Sequence, residues 1–529
     1  MKIKISNFKG EAPIINPRML PSNMAQIATN CRLLSNALSN WLNPSDEATT
    51  VSTALTIYNF KGNWLEWPAD VDVAESPIAN DQYDRIYWTG DGAPKYASLS
   101  MVTTGTGKMP RDSYQLGIPK PAGDPAVVKG VKASPPADAD EANEGTRYYV
   151  YTFVSAFGEE GPPSDPSPRI TVNELQTVEL SNLDTAPAGD YNIATKRIYR
   201  TFDGEYRLVA EIPVEQTTYS DSVENDQLGI TLESTNWYAP PLDMKGLIML
   251  PNGIAAGFRK NELLLSEQYQ PHAWPYSYPV DAEIVGLGNF GNSVVILTKD
   301  QPYLASGMTP DSFAVERLDT NQSCVSKRSI VSSRAGVFYA SPDGLIFVGT
   351  GGAKNLTQGI FSRREWQSFN PSSMIGAIHD NRYHCYYSAA TPGGLIFDLS
   401  HPDIGVTRVG ENISALYQDN ETDKLYFLEP ASTQIKAFDS GAGDMSLTWK
   451  SKVFVMPEPV SLGAVEIKGE GTLNLTVWAD GAQVFSGSIS ANNPQWLPPI
   501  NLASEWEFQL TGVGKVVELT IAEDMQELE

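Results

Sequence analysis

His379, His384 and Cys385 are the residues whose types and spacing come nearest to a metal site, in the run His-Asp-Asn-Arg-Tyr-His-Cys. A bound ion needs ligands that converge. Consecutive residues of a strand project to opposite faces, so an extended run would keep His384 and Cys385 from sharing one ion. The run therefore reads as a turn histidine followed by packed core residues. His272 and His401 lie in Pro-flanked loops with no recognisable partner. The chain has no Gly-x-Ser-x-Gly elbow, His-Glu-x-x-His pair, Walker A loop or Cys-x-x-Cys pair. Gly349-Thr350-Gly351-Gly352 lacks the lysine and helix of a phosphate loop and reads as a turn. Trp64, Trp67, Trp274 and Trp366 could stack on sugar rings, but each lies beside strand or turn segments, where packing is the commoner role. No residue is assigned a catalytic, cofactor-binding or metal role, and the chain reads as a non-enzyme.

Composition says what kind of scaffold carries these residues. The 42 Gly, 37 Pro, 23 Tyr and 11 Trp favour many short strands over long helices. A length of 529 residues is enough for two to four domains. A net charge of −25 argues against a protein that grips nucleic acid, although a negative wall would let DNA slide past. Cys31, Cys324 and Cys385 are scattered, which implies a reducing compartment and no disulfide framework. Residues 1–6 are followed by no apolar stretch of signal-peptide length, and no window approaches a membrane span. Synthesis in a cytoplasm is the expectation.

Along the chain, Ser22 or Asn23 is placed to cap a short helix through Ala25, Ile27 and Ala28. Strands at 56–60, 64–67, 71–73 and 85–89 have the content of one β-propeller blade. Residues 118–145 are Pro-, Ala- and acid-rich and read as a linker. A strand at 147–154 then reaches the turn 157–164, whose prolines fix the exit direction. With later strands at 197–201, at 206–210 and around Thr218-Tyr219, this is a β-sandwich of the fibronectin type III kind. From 245 the blade texture returns as approach strand, turn, aromatic-rich strand, turn and outer strand. From 451, period-two alternation in short strands at 464–467, 473–478, 506–510 and 516–519, with Asp480-Gly481 at a hairpin turn, marks a C-terminal β-sandwich. The expected architecture is all-β, a propeller of about six blades with an inserted fibronectin III-like sandwich and a C-terminal sandwich. Its segments are 1–120 (N-terminal segment and first propeller part), 121–240 (inserted sandwich), 241–448 (remaining blades) and 449–529 (C-terminal sandwich). A pair of stacked sandwiches is the alternative.

Several stretches taken together carry a resemblance. They are Phe157-Gly158-Glu159-Glu160-Gly161-Pro162, Lys196-Arg197-Ile198-Tyr199-Arg200-Thr201, the run 251–258, Leu265-Ser266-Glu267, Pro271-His272-Ala273-Trp274-Pro275, the run 284–298 and the run 324–331. The ensemble resembles the tail nozzle proteins of short-tailed double-stranded DNA bacteriophages, the tail tubular protein B type. It covers roughly residues 145–400 and contains no catalytic signature; the chain is shorter than those proteins. The resemblance implies a virion tail protein, assembled in the host cytoplasm into a ring, a hexamer by expectation. Such a ring would attach below the portal and adaptor proteins, meet tail fibres and form a channel for DNA ejection.

Two rival readings remain at this stage. A receptor- or glycan-binding tail protein predicts an exposed aromatic cluster on one face. A virion-associated glycan hydrolase predicts paired carboxylates in a propeller funnel. Ser341-Pro342-Asp343-Gly344 is faintly similar to the sialidase aspartate box, but occurs once and lacks the Thr-Trp that usually ends it.

Overall fold

The computed structural model describes residues 1–34 and 37–528. The fold is all-β, and its recurring element is the four-stranded antiparallel meander of a β-propeller blade. The two α-helices among the described residues, Leu99–Thr103 and Arg363–Ser368, are short. No helix among them is long and apolar enough to cross a membrane. The chain divides into two compact units: Met1–Asp70 with Leu297–Tyr303 and Arg317–Glu529, and Val71–Ile296 with Leu304–Glu316.

The second unit opens with the meander Asp72–Glu75, Arg85–Thr89, Lys95–Ser98 and Tyr114–Gln115. It differs from the expected first blade, because Thr56–Phe60 and Asn63–Trp67 form a separate two-stranded sheet. The Lys61-Gly62 turn closes that hairpin on itself, with both residues at positive φ. A second meander runs Lys245–Met249, Ala255–Arg259, Glu262–Leu265 and Tyr276–Pro279. Tyr87 and Tyr96 of the first meander share a buried core with Leu247, Leu264 and Trp274 around the second. A third meander, Ile284–Phe290 to Ala314–Arg317, places most of its residues in this unit.

Between the first two meanders lies the inserted sandwich. One sheet joins Ala126–Val131, Gln176–Ser181 and Tyr219–Asp221, and the other joins Tyr149–Ser155, Ile193–Phe202 and Glu205–Pro213. Tyr151, Phe153, Val178, Leu180 and Ile198 meet in its core. Part of the expected linker is thus strand: Ala126–Val131 is fixed by full pairing with Gln176–Ser181, a partner its local composition does not announce.

In the first unit, Val331–Ser332 to Gly352–Asn355 and Ile375–His379 to Val406–Val409 form two more meanders. The next one, Ala415–Asp419, Lys424–Leu428 and Gln434–Ala437, takes its fourth strand from Ser45–Thr49 near the start of the chain. The expected segment 1–120 is therefore divided. Lys2–Ser6 pairs with Ala503–Ala522, and Ser45–Thr49 completes a meander. The helix expected after Ser22 is strand Ala25–Thr29, paired with Leu447–Ser451. Tertiary pairing outweighs the capping signal there, and the Ala28 amide is taken by Glu11 Oε1 at 2.8 Å.

The C-terminal module is built on two long strands, Ala464–Ala479 and Ala503–Ala522, where four short ones were expected. They pair from Ala464↔Ala522 to Ala479↔Trp506, through a register shift at Lys468/Gly469. A Cβ on Gly469 would overlap the Lys515 carbonyl, so only glycine lets the strands approach at this bulge. Both halves of the pair bury side chains in one core, including Val465, Ile467, Leu475 and Phe508. Asp480-Gly481, both at positive φ, makes the expected hairpin turn.

Candidate functional site

Strand Tyr149–Ser155 ends in a reverse turn in which Gly158 takes a positive φ and Ser155 N donates to Glu159 O at 2.8 Å. The chain then runs back beside the strand, with Gly161 N donating to Phe153 O at 3.0 Å. A Cβ on Gly161 would strike Ile118, so the close approach requires glycine. This return sets two adjacent carboxylates, Glu159 and Glu160, inside the unit.

Glu159 reaches the first meander. Its Oε1 accepts from Arg85 Nη1 at 2.6 Å, and its Oε2 accepts from Tyr96 OH at 3.2 Å and Ser155 Oγ at 3.3 Å. Arg85 Nε also donates to Asp81 Oδ2 at 2.7 Å. Burial disfavours the Arg85 charge, but the surrounding anionic groups outweigh it and hold the guanidinium above its usual range. Burial, then the Glu159 charge, pushes the Tyr96 phenol upward.

Glu160 serves the sandwich. Its Oε1 accepts from Thr152 Oγ1 at 2.6 Å and Tyr199 OH at 2.8 Å, and its Oε2 accepts from Arg197 Nη1 at 2.8 Å. The Glu160 carbonyl lies 3.1 Å from Nε2 of His272, which is buried and edge-on to Trp237. Strand alternation splits the run 196–201 between two tasks. Arg197 and Tyr199 face Glu160. Arg200 pairs with Asp221 at 2.5 Å, both side chains fully buried, and Lys196 Nζ donates to the carbonyls of Asp184 and Gln216. Burial pushes the Lys196 ammonium down to about 8.

All four carboxylate oxygens of Glu159 and Glu160 are thus engaged. A general acid or nucleophile needs a free oxygen facing its substrate, and neither residue offers one. What the arrangement does is lock the sandwich to the flanking meanders. A comparable joint occupies the first unit at the run 324–331. There Ser326 Oγ donates to Met374 O, Arg328 Nη2 donates to the carbonyls of Leu55 and Ser414, and Tyr383 OH donates to Ser329 O.

The residues singled out for chemistry are placed as follows. His384 packs against Trp41 and Phe438, while Cys385 faces the core of Tyr383, Leu395 and Phe397 on the other side of the strand. No group of three or more potential ligands that could hold a metal occurs among the described residues. Burial pushes the Cys324 thiol up to about 12 and raises Cys31 and Cys385 as well. His401 is exposed, 3.7 Å from Asp398. The run 349–352 turns between Gly344–Gly349 and Gly352–Asn355. Asp343 of the aspartate-box-like turn is ion-paired with Arg363 at 3.0 Å. Trp67, Trp274 and Trp366 are buried, and Trp64 packs on Tyr426 with ring centroids 4.9 Å apart. Sequence reasoning missed Asp81 and Arg85 and the fully buried Arg200–Asp221 pair. The one available signal was two adjacent acids inside an aromatic, glycine- and proline-rich turn.

The sandwich also carries a groove of about 230 Å³, lined by Pro162, Pro163, Pro166, Tyr206, Tyr238 and Lys120 among others. Fold and sites together define an all-β protein of blade meanders and sandwiches whose buried charges act as joints. No family model matches the chain, and no curated protein matches it. Solved structures similar to it include BBS1N in complex with ARL6DN, at 9% identity over 76% of this chain and 96% of that one, TM-score 0.29. BamB from Moraxella catarrhalis is similar at 8% identity over 60% and 93%, TM-score 0.25. The dihydro-heme d1 dehydrogenase NirN is similar at 12% over 72% and 78%, TM-score 0.28. The fold assignment rests on the sheets themselves.

Proposed function

We propose that this chain is a non-enzymatic structural component of a tailed bacteriophage particle. It assembles into a ring, a hexamer on this reading, attaches below the portal and adaptor proteins, contacts tail fibres and lines a channel for exiting DNA. The observation that carries the reading is the fate of the stretches behind the nozzle resemblance. Phe157–Pro162, Lys196–Thr201 and the His272 loop converge on one buried joint, and the run 324–331 builds another. Residues used to hold modules rigidly suit a load-bearing part. The net charge of −25 suits a wall that DNA passes without binding. Light scattering on the purified protein tests assembly, the expected mass being that of a closed ring. A species that stays monomeric at all concentrations, with and without the adaptor protein, would contradict the reading.

The Tyr206–Tyr238 groove supports a second reading, a glycan- or receptor-binding tail protein. That reading expects saccharide binding on a glycan array, abolished by Tyr206→Ala with Tyr238→Ala. Binding that survives both substitutions would remove the groove from consideration.

A further inference from the structure

Strand Ala482–Ser490 of the C-terminal module is a sheet edge: among the described residues it pairs with Ala464–Ala479 and with no other strand. An edge strand turns every second backbone N–H and C=O outward, which makes it a template for another extended chain. Natural sheets blunt such edges with charges or prolines. Edges elsewhere in this chain carry Lys129, Pro279, Glu316 and Lys354. Ala482–Ser490 carries neither a charge nor a proline.

Two further observations say what fits this edge. No charged residue lies between Asp480 and Glu505, in a chain whose net charge is −25. Copies of such a chain repel over most of their surfaces, and an uncharged stretch is where two of them can touch. The second observation is order. Beyond the bulge at Val484, pairing is regular from Phe485 to Ser490. Within that run, Phe-Ser-Gly-Ser-Ile is close to a palindrome about Gly487. In a two-fold antiparallel pair centred on Gly487, Ser486 stands opposite Ser488 of the second copy, and Phe485 opposite its Ile489. Hydroxyls then meet on the exposed face, and apolar positions meet on the face that packs against the core.

We propose that Ala482–Ser490 is a self-association edge, to which a second copy of this chain adds its own Ala482–Ser490, antiparallel about Gly487, in solution. The contact is isologous and closes after two partners. It joins single chains or closed rings alike, so it goes beyond the ring reading and does not depend on it.

The test is register-specific disulfide trapping on the full chain. Residues directly opposite in an antiparallel pair have Cα atoms about 4.5–5.5 Å apart, within disulfide reach. The native Cys31, Cys324 and Cys385 are buried. Oxidising an equilibrated mixture of Ser486→Cys and Ser488→Cys is expected to give a covalent dimer with one copy of each, several-fold more than either variant gives alone. Sedimentation velocity supplies a second readout. Ser486→Lys with Ser488→Lys sets lysine opposite lysine on the exposed face and is expected to halve the sedimenting mass, with the urea midpoint unchanged. A mixture that cross-links no better than the single variants, or a folded lysine variant that keeps the parent's mass, would overturn the proposal. The cysteine mixture decides the matter even if the lysine variant fails to fold.

Discussion

At the residue scale, Glu159 and Glu160 adjoin in sequence yet serve different modules, Glu159 the meander and Glu160 the sandwich. Removing one partner of a buried ion pair strands the other charge, at a cost of about 3–5 kcal/mol. Arg85→Ala is therefore expected to lose that much in equilibrium urea unfolding, with Arg85→Met plus Glu159→Met recovering part of it. An Arg85→Ala protein as stable as the parent would contradict the joint. His384 gives a second expectation. Burial, then His379 and Arg382, pushes its imidazole down to about 3. The unfolded group titrates near 6.5, so below that pH the unfolded chain binds a proton the folded one refuses. Stability is complete above about 6.5 and falls progressively toward pH 3. His384→Phe should flatten this fall in urea midpoints measured across pH; an unchanged slope would place the acid sensitivity elsewhere, as on His379, which burial also lowers.

At the element scale, strands that alternate strongly or carry their own turn signal were legible. Tyr149–Ser155 lies within two residues of the expected 147–154, and the Asp480-Gly481 hairpin lies where the residues place it. The misses have one cause, pairing with partners far away in the chain. Ala25–Thr29 is strand because Leu447–Ser451 lies beside it, and Ala126–Val131 because Gln176–Ser181 does. Glu11 illustrates the same limit within a site, since its partner Arg408 is 397 positions away. The long strands read as short ones in sequence because glycines such as Gly469 and Gly512 interrupt the pattern without ending the pairing. Gly469→Val is expected to force the bulge apart and cost about 1–3 kcal/mol, measured by thermal and urea unfolding. A neutral result would show that the bulge yields without strain.

At the scale of the whole molecule, buried polar chemistry goes into holding modules to one another, and the surface carries the negative surplus. The candidate joint was half legible. The run 157–162 reads as a turn, but no spacing rule connects it to Asp81 and Arg85, which folding brings to it. The proposed ring would be heterologous, with two different surfaces of each copy meeting and the rotation between them closing. The most direct test of that proposal is cryo-electron microscopy of the phage particles it assigns this chain to, with the copies located and counted. The account predicts a closed ring on the tail axis below the portal, six copies around a channel wide enough for duplex DNA. Copies confined to the tail periphery as trimers or monomers, with no axial channel, would contradict it.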